Sequence, residues 1–350
     1  MIEKSSALVS KKVFTPFILV TSLFALWGFA NDITNPMVAA FGTLMELSNS
    51  KAAWVQLAFY GGYATMAIPA AMFVRRFNYK KGIILGLALY SIGDLLFYPA
   101  AKFEAFGYFL ISLYILTFGL AFLETTANPY ILSMGDEETA TQRLNLAQAF
   151  NPIGSLLGMF VASKLILANL STTKFRNEQF SIHPEYESMA AGEVNAKIDA
   201  ALQTAKNLEP TVFAANQVAD IEIIRNPYAI LGIVVLFMFT IFLLKKMPDT
   251  GNRGSHINPM DSAKRLFKNR SWKGGVIAQT FYVAAQITCW TFIIQYAMEN
   301  VSGMTMSKAQ NYNIGAMALF LVSRFICTFL LKYFSPGKLL MQLIFPFKMN

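Results

Sequence analysis

Two strings in this 350-residue chain set an acid beside an amide inside a long apolar run. One reads Asn31-Asp32-Ile33-Thr34-Asn35-Pro36, the other Glu124-Thr125-Thr126-Ala127-Asn128-Pro129. On a helix Asp32 and Asn35 share a face at i, i+3, and Glu124 and Asn128 share one at i, i+4. Each Pro removes a backbone donor and frees a carbonyl one turn earlier, so both helices are expected to break there. Ionisable groups inside apolar spans are costly, and function is the default explanation. Glu124 lies deepest in its run, among apolar neighbours that disfavour a charged carboxylate. It is the expected proton carrier, with Asp32 sharing the role. Gln148 and Asn151, again i, i+3, precede Pro152. Gln279, Tyr282, Gln286 and Trp290 follow steps of three, four and four, a polar and aromatic stripe on one face. Amides and carboxylates suit the hydroxyls of a sugar, and an aromatic plate suits its C–H face. Asn31, Asn35, Asn128, Gln148, Asn151, Gln279, Gln286 and Trp290 are therefore the candidate sugar contacts. Interhelical hydrogen bonding competes for the amides, and interfacial anchoring competes for Trp290.

The other ionisable residues in apolar runs read differently. Asp94 stands within two turns of a run's end, Arg324 reads as a structural group near another end, and Lys164 is terminal. Enzyme chemistry finds no support. His183 and His256 fall in connections, and there is no GxSxG, HExxH or phosphate-cradling loop. Cys289 and Cys327 sit in apolar runs, which gives neither a disulfide framework nor a CxxC zinc pattern. No metal or cofactor is expected, only a proton gradient. Carboxylates backed by amides, without a repeated pore motif, favour a proton-coupled carrier over a channel.

These groups need elements to hold them, and the composition says which. Hydrophobic residues are 55% of the chain and charged residues 14%, against about a quarter charged in soluble domains. So much apolar surface belongs in a lipid bilayer. Runs near the roughly 20 residues needed to cross hydrocarbon lie at Val13–Ala40, Ala52–Val74, Gly82–Ala101, Phe106–Met134, Leu144–Leu167, Pro227–Leu244, Gly274–Tyr296 and Asn311–Leu331. All must be helices, because lipid offers no partner to free backbone groups. The fold class is an all-α polytopic membrane protein. Gly82/Gly86 and Gly154/Gly158 read as close helix packing.

The net charge of +9 does not point to nucleic acid, because its distribution sets an orientation. Lys4, Lys11 and Lys12 precede the first run, Arg75, Arg76, Lys80 and Lys81 follow the second, and eight basic residues lie between Lys245 and Lys273. The alternate short connections carry only Lys51, Lys102 and Lys308. By the positive-inside rule the N-terminus is cytoplasmic. Residues 1–244 then form a six-helix half with a polar outer connection at 169–226, in which Ala190–Leu208 reads as a helix. Residues 245–273 are a cytoplasmic linker. Residues 274–350 hold two spans and a partial third, an incomplete second half.

At these same residues the chain resembles the fucose–proton symporter family of the major facilitator superfamily. The strings are ETTANPYILSMG at Glu124–Gly135, RLNLAQAFNPIG at Arg143–Gly154, LWGFAND at Leu26–Asp32, QLAFYGGY at Gln56–Tyr63 and AQTFYVAAQITCW at Ala278–Trp290. The resemblance implies twelve spans in two halves, alternating access, a bacterial cytoplasmic membrane, and symport of a sugar with a proton. It maps the family's span-four carboxylate onto Glu124 and its span-five amides onto Gln148 and Asn151. The family's span-one acid falls on Asn35, while this chain has Asp32 one turn earlier. L-Fucose is the first expectation for the sugar and glucose or galactose the second. The eight spans keep a different class open, a membrane sugar sensor that does not transport.

Overall fold

The computed structural model describes residues 8–9, 13–248 and 259–330. Among these, eight helices are long and apolar enough to cross a membrane: Phe14–Leu44, Asn49–Arg76, Tyr79–Phe103, Phe106–Leu132, Glu137–Leu167, Pro210–Leu244, Arg270–Asn300 and Met306–Leu330. They are numbered spans 1 to 8. The N-terminal lysines, Arg253, His256 and the partial third span of the second half lie outside the described residues.

Every expected span is present, and most reach further than their apolar runs. A helix keeps its hydrogen bonds past the edge of the hydrocarbon, where polar side chains face water. Span 6 shows this most. Its apolar part begins at Pro227, yet the helix runs unbroken from Pro210. The added turns rise about 25 Å at 1.5 Å per residue. The 169–226 connection is therefore largely helical. It contains Ser171–Ile182, the expected helix at Ala191–Leu208, and the foot of span 6. Tyr186, Val194 and Ile198 form a small separate core there. Asp220 on span 6 accepts from the Ser171 backbone N–H at 2.9 Å and the Ser171 hydroxyl at 2.6 Å, which caps the first of these helices. We call this unit the cap.

Within the first half, span 4 packs between spans 2 and 3, span 3 also meets span 6, and span 1 lies along span 5. Small residues set these distances. A Cβ added at Gly154 would meet the Ala25 backbone, and one at Gly158 the Phe29 carbonyl. Gly86 lies against the Gly119 carbonyl between spans 3 and 4. Hydrogen bonds tie the bundle further. Tyr90 donates to the Leu26 carbonyl at 2.9 Å, Ser91 donates to the Gly232 carbonyl at 2.9 Å, and Thr34 pairs with Tyr228 at 3.0 Å. Span 8 runs along span 5 and joins the second pair of spans to the first six.

Of the two expected breaks, one forms. Span 1 turns at Asn35–Pro36, between helical segments Phe14–Thr34 and Met37–Leu44. Span 4 is continuous through Pro129. The Asn128 side chain donates to the Glu124 carbonyl at 2.9 Å, one residue before the Thr125 carbonyl that Pro129 leaves without a helical donor. Span 5 is interrupted at Ala149–Phe150, just before Pro152.

Candidate functional site

Asp32 is 2% exposed, held between spans 1 and 5. The Asn35 side-chain N–H donates to its Oδ1 at 3.0 Å. Asn35 Oδ1 in turn accepts from Gln56 Nε2 of span 2 at 3.2 Å. The other end of that amide, Gln56 Oε1, has no hydrogen-bond partner among the described residues. Asn31 Oδ1 accepts a long bond, 3.5 Å, from the Tyr63 hydroxyl.

Glu124 lies on span 4 and faces span 2. Its side chain is exposed on the wall of a cavity of about 650 Å³ shared with Tyr60, Tyr63, Thr125 and Asn128. Ala64, Ala67, Ala121 and Pro129 complete the wall, so the acid has apolar neighbours together with the tyrosines of span 2. The Tyr60 and Tyr63 rings stack with centroids 6.3 Å apart. Asn128 Oδ1 accepts from Gln148 Nε2 at 3.0 Å, which links spans 4 and 5 at the cavity's edge. The Gln148 carbonyl accepts from Arg324 Nη1 of span 8 at 3.1 Å. Arg324, read as an end group, thus bridges the two sets of spans.

The structure therefore gathers Glu124 and Asn128 on one cavity, with Gln148 at its edge, and binds Asp32 to Asn35 nearby. It separates others. Asn151 spends its amide on the Phe24 carbonyl at 3.3 Å, on the seam between spans 5 and 1. Gln279 lines a different, shallow cavity with Trp272 and Val276. Gln286 and Trp290 are half-buried on span 7, and neither lines the Glu124 cavity. Gln56, Tyr60 and Tyr63 were not singled out as site residues. Their spacing of four and three puts them on one face of span 2, and that period was the available signal. Arg143 was also missed. It is fully buried and donates to the Ile131 carbonyl at 2.8 Å and the Leu132 carbonyl at 2.6 Å, closing the end of span 4.

Chemically, this arrangement supplies one carboxyl on a cavity wall, one buried carboxyl, a set of amides and a pair of stacked rings. That is a proton-accepting wall beside a surface suited to hydroxyls and C–H faces. The Major Facilitator Superfamily model matches residues 17–177. The L-fucose-proton symporter of Haemophilus influenzae is 53% identical over 338 residues, 96% of this chain and 73% of that protein. The chain belongs to the fucose–proton symporter family. The family's L-fucose-proton symporter from Escherichia coli is 34% identical over 95% of this chain and 70% of its own length. A solved structure of a major facilitator transporter of this family, FucP in the outward conformation, superposes with a TM-score of 0.71 at 33% identity, covering 94% of this chain and 74% of that one. Glucose/galactose transporters of Brucella abortus match at 27% identity. The shared fold makes the eight helices spans of a multi-pass membrane protein and places the Glu124 cavity within a family of transporters.

Proposed function

We propose that the chain is a secondary transporter, not an enzyme, that carries L-fucose together with a proton. The observation that carries this is the 53% identity to an L-fucose-proton symporter along 96% of the chain. The site supports it, because Glu124 faces a cavity walled by tyrosines and an amide.

Glu124 takes up a proton from the cavity. Neutralising it removes a charge from the wall and permits the halves to rock around the sugar, the motion by which such folds alternate access. Asn128 and Gln148 hold the sugar hydroxyls near the acid, and the Tyr60 and Tyr63 rings cover its C–H face. Gln56 Oε1 offers an acceptor beside the Asp32–Asn35 pair. Gln286 and Trp290 approach from span 7 when the halves close. The proton gradient is the only co-reactant. The placement of Lys and Arg supports an orientation with the N-terminus inside and the cap outside, and the bacterial relatives support a bacterial cytoplasmic membrane.

The test is a panel of labelled L-fucose, D-glucose and D-galactose, measured as binding and as uptake into vesicles with and without an inward proton gradient. L-Fucose should bind best, and the gradient should raise its uptake. Preference for another hexose would overturn the choice of sugar. Uptake indifferent to the gradient would overturn the coupling.

A further inference from the structure

A second cavity, of about 490 Å³, lies under the cap and shares no lining residue with the Glu124 cavity. Its volume is within the range of small-molecule sites, roughly 300–1,000 Å³. Its walls come mainly from the outer part of span 1 with the connection after it, the outer part of span 7 and the cap, and Asn49 of span 2 and Met306 of span 8 complete them. It therefore lies between spans 1 and 7, beneath the cap.

The cap is fastened around this space from both sides. Toward spans 7 and 8, Arg176 Nε donates to the Met304 carbonyl at 2.9 Å, Asn195 Nδ2 to the Met298 carbonyl at 2.9 Å, and Ser302 to the Tyr186 carbonyl at 2.6 Å. Toward span 1, Lys206 pairs with Glu46 at 2.8 Å, and Gln217 Nε2 donates to the Leu44 carbonyl at 2.8 Å. Arg176 is the cationic group on the wall, and two of its N–H groups donate, to the Met304 carbonyl and to Asn195 Oδ1.

The unspent groups on the wall are mostly acceptors. Gln295 Oε1 and Thr172 Oγ1 are shielded from solvent and have no hydrogen-bond partner among the described residues. Asp199 and Glu299 make no ion pair among those residues. Phe213 adds an aromatic ring to the wall. Glu46, Asp199, Asp220 and Glu299 outnumber Arg176 on the wall, so the cavity disfavours an anion. Buried polar atoms without partners cost stability, and a ligand rich in hydroxyls would satisfy them. Acceptors, a hydroxyl and a ring together fit a neutral sugar.

We propose that this cavity is an outer sugar subsite, where a neutral hexose is held under the cap before it reaches the central cavity. The inference rests on the sugar-transport reading above and goes beyond it by giving the cap a ligand.

The experiment uses the intact chain in lipid nanodiscs and a photoreactive diazirine derivative of L-fucose, with labelled peptides mapped after irradiation. Label is expected in residues 172–217 and separately in residues 60–129, displaced in both by excess L-fucose. The double variant Thr172→Val with Gln295→Leu removes the unspent groups at nearly constant volume. It should cut the cap label several-fold and leave the central label in place, which also shows that the variant is folded. If the double variant loses both labels, Gln203→Trp, which fills the cavity from its wall, decides the matter by the same criterion. Label confined to residues 60–129 in the unaltered chain overturns the subsite alone. A cap label unchanged by the variants does the same. Absence of displaceable label at both places overturns the sugar reading together with it.

Discussion

Asn35 donates its side-chain amide to Asp32 across one turn of span 1, and the N···O distance is 3.0 Å. The pair is oriented by Gln56, which donates to the other end of the Asn35 amide. An acid at position 32 and an amide at position 35 therefore act as one polar unit with a fixed direction. The turn at Asn35–Pro36 holds it there.

Asp32→Asn should weaken L-fucose binding or flatten its pH dependence. A hydrogen bond to a charged group contributes about 1.5–3 kcal/mol, which corresponds to roughly tenfold or more in affinity. The exchange Asp32→Asn with Asn35→Asp should recover part of the loss, since it restores one acid and one amide on the same face. Binding titrations across a pH series check both. If Asp32→Asn matches the unaltered chain in affinity and in pH profile, the pair is structural.

These residues also show what a sequence discloses. The spans were legible because hydrocarbon demands long apolar helices. Their ends were not, because turns such as Pro210–Asn226 continue in polar residues. The break at Asn35–Pro36 was legible from the Pro. Its counterpart at Pro129 did not form: the helix runs on although Pro129 leaves the Thr125 carbonyl without its usual donor, and a Pro alone does not reveal which of the two outcomes follows. The acid on span 4 was legible, but the tyrosines of span 2 that share its cavity were not. Tyrosines in apolar runs are common anchors and carry no signal until a partner face is known. The stripe on span 7 lies on one continuous helix, yet which cavity a face meets is a tertiary fact.

Glu124→Gln should separate sugar binding from proton movement. The amide resembles the protonated acid in shape and lacks its charge change. L-Fucose binding and its exchange across the membrane should persist within a few-fold, while sugar-dependent proton uptake and accumulation against a gradient disappear. Parallel measurements of bound sugar and of external pH on sugar addition decide this. Undiminished proton uptake in the variant would remove Glu124 from the coupling role.

Gly154→Leu should impair folding. A Cβ at Gly154 would meet the Ala25 backbone, which cannot swing aside as a flexible side chain would. Overpacking of this kind costs about 1–3 kcal/mol or more, and here it pries span 5 from span 1. The expected result is a lower melting temperature and reduced yield of monodisperse protein. Gly107→Leu is the control, because nothing lies within 4 Å of a Cβ there. Equal behaviour of the two variants would show that the span 1–span 5 seam tolerates separation.

Asp94 gives the last prediction. Its carboxyl is fully buried between spans 3 and 6, and neither oxygen has a hydrogen-bond partner among the described residues. Gly232 of span 6 lies close against it, leaving little room for a larger side chain. An unsatisfied buried polar group costs about 1–3 kcal/mol, whereas a small apolar replacement costs only a little packing. Asp94→Ala should therefore raise the melting temperature, and Asp94→Asn should not, because the amide keeps the need for partners. L-Fucose binding and proton uptake should stay unchanged in both. Thermal unfolding followed by tryptophan fluorescence, with binding measured alongside, makes the comparison. A gain in stability accompanied by lost proton uptake would mean that Asp94 is retained for transport at the expense of stability. A loss of stability in Asp94→Ala would mean that the carboxyl has partners, such as bound water, that offset its burial.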